Sequence, residues 1–238
     1  MLGGSFVIFD VTASYYDFNH RATQMRTHYL TQQKQTFKRE VDSVVNMINF
    51  EKMKSEELTR DKIKMRLYEA YAIARNIYQQ NKSSNDEAEI LRLINDALRP
   101  IRFDNGCGYY FATTLDGVEL LFADKPQMEG LNLLNVRDAH GRYVIKDMIA
   151  IVKQSGEGFY EYYWSKPNVE GLHYKKISYV KRFESCNWFI GTGLYVDDVE
   201  GQIKKELLDR IASIRFGLNA DGYIFVVAYD GTTLMNDT

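Results

Sequence analysis

The chain has 238 residues, 45% hydrophobic and 26% charged, which suits one large folded domain or two small ones. A net charge of −2 speaks against a nucleic-acid surface or a strongly basic membrane face. Cys107 and Cys186 form neither a CxxC redox pair nor a metal spacing, and read as two small buried or half-buried residues, with a disulfide as the alternative.

The opening "MLGGSFVIFDVTASYY" is apolar but cut by Asp10, too short to span a bilayer and without a signal peptide's basic flank. It reads as the edge of a membrane-proximal segment or leader over 1–19, or as a strand or loop. Residues 20–50 hold neither Gly nor Pro, and Met25, Tyr29, Phe37, Val41, Val44, Val45 and Ile48 form one apolar stripe on a long helix. Asp61 is read as the N-cap of a second helix ending near Gln80, with Ile63, Leu67, Tyr71, Ala74 and Tyr78 inward. After the turn "NKSSND", Ile90, Leu91, Ile94 and Leu98 mark a third helix that stops at Pro100.

The pattern then changes. "GYYFATT", "LDG" and "VELLFA" predict a hairpin closed by an Asp-Gly turn. Residues 128–143 predict a loop, and 143–155 a helix stopped by Gly156. Strands are expected at 158–164, 173–183 and 187–196, and a helix at 198–216. The chain then repeats itself: "NADGYIFVVAYDGTTLM" matches the first hairpin, with Gly222 and Asp230 each 114 positions after Gly108 and Asp116. Short sequential strands crossed by one helix predict an α+β fold with an antiparallel sheet, leaving a concave space over one sheet face.

The segments "RFDNGCGYYFATTLDG", "MEGLNLL", "DAHGRYV", "GEGFYEYYW" and "KKISYVKRFESCNWFIGTGLYVDDV" resemble, in order and spacing, a Cache domain. Cache domains are PAS-like extracytoplasmic sensor modules of bacterial chemoreceptors, sensor kinases and cyclic-dinucleotide enzymes. The resemblance implies a long N-terminal helix packed on a five-stranded antiparallel sheet. It places a helical region at 20–100 and the sensor module at 101–197. The connecting helix and first hairpin of a second, incomplete module fall at 198–238. It also implies a ligand pocket between the sheet and the long loop, accepting small organic acids or amino acids. Where many relatives carry His-Pro at the end of the second strand, this chain has Phe122 and Ala123, which trades a polar contact for an apolar wall.

A buried carboxylate needs a cation and donors. Arg102 and Lys176 stand at matching family positions and are the candidate cations. Alternation puts Tyr109, Phe111 and Thr113 on one face, Tyr160, Tyr162 and Trp164 on one, and Lys176, Ser178 and Val180 on one. Tyr179 then points away from Lys176 unless a bulge intervenes, and is kept as a further candidate. The candidate ligand-binding residues are therefore Arg102, Tyr109, Phe111, Phe122, Tyr162, Trp164, Lys176, Ser178 and Tyr179. Each has a plainer reading. Tyr109 and Phe111 recur as Tyr223 and Phe225, and Arg102 as Arg215, so all three also read as architecture. Lys176 sits between Lys175 and Lys181, as a solvated strand edge would.

Four scattered histidines and the pair Asp197-Asp198 show no catalytic or metal spacing, so no enzyme, metal or cofactor is expected. The reading is an extracytoplasmic ligand sensor of a bacterial inner-membrane receptor, attached through segments outside this chain. It is expected to be dimeric through the long helix and to signal through its helices. The alternatives are a structural or protein-interaction module with a filled pocket, and a cytoplasmic PAS module holding haem or flavin. A cavity no larger than one water favours the filled pocket; several hundred cubic ångströms beside Lys176 favours sensing.

Overall fold

The computed structural model describes residues 3–171, 173–217 and 221–235, with side chains from residue 14 onward and that of 202 excepted. Between Ser5 and Asn81 the sequence offers no Gly or Pro to interrupt a helix, and one helix, α1 (Gly3–Asn81), runs through the whole stretch. The expected break at Asp61 is absent: that residue is a surface position inside a continuous helix. The opening segment is likewise helical from Gly3, not strand or loop. Among the described residues no helix is long and apolar enough to cross a membrane.

The chain divides into two compact units, 52–205 and 1–51 with 206–238. In the first, Ile63, Leu67, Ala70 and Ala74 repeat every three or four positions, and all are fully buried. Helix α2 (Glu87–Leu98) starts at Asp86, whose side chain accepts from the Glu89 amide at 2.8 Å, and buries Ile90, Ile94 and Leu98. The sheet contains β1 (Tyr110–Thr114), β2 (Glu119–Phe122), β3 (Glu157–Trp164), β4 (Tyr174–Phe183) and β5 (Trp188–Tyr195). It is antiparallel, in the order β2-β1-β5-β4-β3. Helix α3 (Val144–Ser155) ends at Gly156, whose φ of 75° is the left-handed geometry that glycine adopts freely.

Alternation sorts the sheet into two faces. One packs on α1: Tyr110 donates to the Arg66 carbonyl at 3.1 Å, and Phe183 packs edge-on or tilted against Tyr71 and Tyr78. The other lies under α3 and carries Tyr109, Phe111, Tyr162, Trp164, Lys176 and Ser178. β5 crosses this second face with Gly191 and Gly193. A Cβ at Gly191 would collide with the Phe111 ring, and one at Gly193 with Ser178 and the Ile177 carbonyl. These glycines leave room for the Phe111 ring from β1 and for Ser178 and the close backbone of β4.

In the second unit, Phe37 packs edge-on against Phe216 and Arg210 pairs with Glu51 at 2.5 Å. Helix α4 (Val196–Ala212) precedes two small ladders. One pairs β6 (Arg215–Phe216) with β7 (Gly222–Tyr223), the other β8 (Val226–Val227) with β9 (Thr233–Met235). The expected helix to 216 thus ends early, where Arg215 and Phe216 turn into strand. The repetition in sequence is a repetition in geometry. The Gly117 amide donates to Thr114 O at 2.9 Å, and the Gly231 amide to Ala228 O at the same distance; their φ values are 87° and 86°. Arg102 donates to the carbonyls of Arg99 and Ile101, and Arg215 to those of Ala212 and Ile214.

Candidate functional site

Under α3 an aromatic row crosses the sheet. Tyr109 stacks on Phe122 at 5.8 Å, Phe122 on Trp164 at 6.4 Å, and Trp164 meets Tyr162 edge-on at 5.7 Å. These four, with Phe111, Glu119, Leu133, Val144, Ile145 and Met148, enclose a cavity of about 20 Å³. That is close to the room one ordered water needs. The Phe122 ring is wedged between Tyr109 and Trp164 and fills space.

Lys176 lies at the end of this row. Its register partners are Tyr162 on β3 and Tyr195 on β5, and it is completely buried. Its Nζ has no hydrogen-bond partner among the described residues. It rests 3.9 Å over the centre of the Tyr109 ring and 5.0 Å from that of Tyr195. Burial pushes the ammonium down to about 7, with Asp124 pulling the other way. Ring faces compensate only part of the hydration an ammonium loses. Ser178 is fully buried beside it and meets the Tyr162 hydroxyl at 3.1 Å.

The loop over this face is tied at three points. Asp138, its side chain wholly buried, accepts from the amides of His140, Arg142 and Tyr163 and from the Arg142 guanidinium. Burial raises that carboxyl, but those donors outweigh it and hold the group below the usual carboxylate range. Arg99 grips Glu129 with two bonds of 2.7 and 2.8 Å, and Glu129 accepts from the Phe122 amide. Lys125 donates to Ser165 at 2.6 Å.

Of the nine residues expected at the site, Tyr109, Phe111, Phe122, Tyr162 and Trp164 line the cavity, and Lys176 and Ser178 adjoin it. Arg102 stands elsewhere, bonded to the carbonyls of Arg99, Ile101 and Ala123, where it fastens α2 to the first hairpin. Tyr179 is on the α1 face, packed on Phe159 with Lys64 over its ring, because no bulge interrupts β4. The sequence reading missed Glu119. A charge inside "VELLFA", opposite a Thr already placed on the pocket face, is the signal that was available. Cys107 and Cys186 are both free thiols.

Comparison with known proteins agrees with this architecture. The Cache domain family profile matches residues 14–238. The sensor histidine kinase MctS of Rhizobium johnstonii is 32% identical over 149 residues, 52% of this chain. The methyl-accepting chemotaxis protein McpP of Pseudomonas putida is 30% identical over 112 residues, 47% of this chain. The aligned segments span 32% and 20% of those two proteins. Among solved structures, a periplasmic sensor domain of a chemotaxis protein superposes with a TM-score of 0.56 at 26% identity, covering 60% of this chain and 97% of its own. A Cache chemosensory domain described for carboxylic acid recognition gives 0.53 at 28% identity, covering 60% and 98%. With its long helix, five-stranded antiparallel sheet and loop-covered aromatic face, the chain belongs to the Cache domain family of sensor modules.

Proposed function

We propose that this chain is the extracytoplasmic sensor region of a bacterial membrane receptor, and that it binds a small organic acid through Lys176. The observation that carries the reading is the Lys176 ammonium: fully buried, without a hydrogen-bond partner, and placed beside the aromatic cavity. Packing gains nothing from an unpaired amine at that point, where Met or Leu would fill the space without the desolvation cost. A carboxylate would supply the missing partner, with Tyr109, Tyr162 and Ser178 as neighbouring polar groups. The similarity to a Cache domain described for carboxylic acid recognition points the same way. Ligand entry would displace Phe122 and tighten the loop 124–142. It would bias α4, whose first-turn Asp197 and Asp198 both pair with Lys166. A ligand shifts that equilibrium only by its differential affinity for the two arrangements. The exposed stripe on α1, including Tyr29, Phe37 and Val41, suits a second copy of the chain, and the repeated hairpin suits a second module of the same kind.

A second reading, a structural module with a filled pocket, is favoured by the small cavity, about 20 Å³ in volume. A thermal-shift screen with mono- and dicarboxylates, amino acids, amines and purines separates the two. A ligand at a hundred times its dissociation constant adds about 2.7 kcal/mol of stability. Sensing predicts a carboxylate hit that disappears in Lys176→Ala. Silence across every class would favour the filled pocket, or a ligand site in the repeated module.

A further inference from the structure

The cavity behind Tyr109 contains one ionisable carboxyl that the carboxylate reading leaves unused. Glu119 on β2 is 2% exposed and lines the cavity. Thr113 Oγ1 donates to its Oε2 at 2.9 Å; the other oxygen has no hydrogen-bond partner, and no cation pairs with it, among the described residues. Burial pushes this carboxyl up to about 8, the Thr113 bond opposing and the Glu129 carboxylate adding to the rise. At neutral pH Glu119 is therefore mainly the uncharged acid, with an O–H to donate.

The second hairpin is an internal control. It closes with the same turn and the same register shift, yet sets Val227 opposite Thr233 where the first sets Thr113 opposite Glu119. Tyr109 and Phe111, by contrast, recur as Tyr223 and Phe225. The hairpin forms without the Thr-Glu pair, so the turn is not what calls for a buried acid.

We propose that Glu119, steadied by Thr113, reads the ligand beyond its carboxylate and selects small hydroxy and oxo acids over plain alkanoates. The inference rests on Lys176 as the carboxylate partner. Tyr109 joins the two ends, since its ring supports Lys176 and also walls the cavity that Glu119 lines. Tyr162 does the same from β3, as the register partner of Lys176. A ligand oxygen accepts the Glu119 proton donor. A plain methylene in its place leaves that donor buried and unpaired, which is how a polar pocket rejects the analogue lacking oxygen. An ammonium would require Glu119 to ionise against Phe111, Phe122, Met148 and Trp164, a poorer match.

Calorimetric titration of the whole chain at about pH 6, where Lys176 is charged, tests this with propionate, 2-hydroxypropionate, 2-oxopropionate and β-alanine. The two oxygenated acids are expected to bind at least about tenfold more tightly than propionate. Glu119→Leu should bring that ratio to about one. Glu119→Gln, which keeps a donor, should keep part of the preference. Propionate binding as tightly as the oxygenated acids to the unmodified chain would overturn the inference, and that ranking needs no variant. So would a preference that survives Glu119→Leu, or β-alanine binding tightest. Binding without ranking sinks this inference alone; no binding by any of the four also overturns it, while the Lys176 reading is decided separately by the wider screen with its Lys176→Ala control.

Discussion

Lys176→Met should give a protein that is more stable and blind to ligand. A folded-state value near 7 against 10.5 for the free side chain means that folding strips the lysine of its proton or buries the charge. The corresponding cost is on the order of 4 kcal/mol at neutral pH. Met fills similar volume without that cost and gives up only the contact with the Tyr109 ring. The melting temperature should rise by roughly 5–10 °C. The sign with pH is definite. The penalty is full below the folded value and fades as pH rises toward the unfolded one, because the unfolded chain binds the extra proton throughout that window. Melting curves of both proteins between about pH 6 and pH 10 should therefore converge at the alkaline end. Equal stability at every pH would show that Lys176 is not held at a cost, and would remove the reason for assigning it a ligand. A gain in stability bought with a loss of binding is expected of a group kept for function.

Asp138→Ala should have the second-largest effect, in the opposite direction. The substitution leaves the amides of His140, Arg142 and Tyr163 without their acceptor and releases the Arg142 guanidinium. Losing a buried acceptor that serves three amides and a half-exposed guanidinium costs about 3 kcal/mol. Denaturant midpoints at neutral pH should fall accordingly, and Asp138→Asn should recover a part. The carboxyl's folded value is depressed, so its contribution is complete above the unfolded value of 3.8 and is lost as pH falls through the folded one. Wild type and Asp138→Ala should accordingly draw together below about pH 4. An unchanged midpoint at neutral pH would mean that the loop is held mainly by Arg99–Glu129 and Lys125–Ser165.

The fold was legible where a local pattern and its tertiary use coincide. The run of β-formers around Tyr179 and the Asp-Gly turn at 116–117 placed the strands to within a residue or so. Alternation alone put Lys176 and Ser178 on one face and Tyr179 on the other. Asp61 misled because an N-cap residue signals a helix start only where something has ended the previous helix, and nothing between Ser5 and Asn81 does. Arg102 misled for a different reason. A cation near a pocket in sequence can equally serve orphan carbonyls at a helix end, and only the folded structure shows which. Glu119 was overlooked because one charge in a short strand looks like an outward-facing position. Its burial depends on α3 and the loop closing over β2, which a strand read in isolation does not reveal. The long-range stacking of Phe122 between Tyr109 and Trp164 is likewise a property of three strands, not of one.

The central claim is that a carboxylate pairs with the Lys176 ammonium, and proton uptake on binding tests it most directly. Titrating the acid found in the screen at about pH 8, in buffers of different ionisation enthalpy, counts the protons taken up. The free amine is mostly uncharged there and must charge to pair. Uptake of one proton per ligand or somewhat more, since Glu119 also completes its protonation, is therefore predicted, falling toward none at about pH 6 and absent in Lys176→Met. Tight binding at both pH values without proton uptake, or uptake that persists in Lys176→Met, would contradict it.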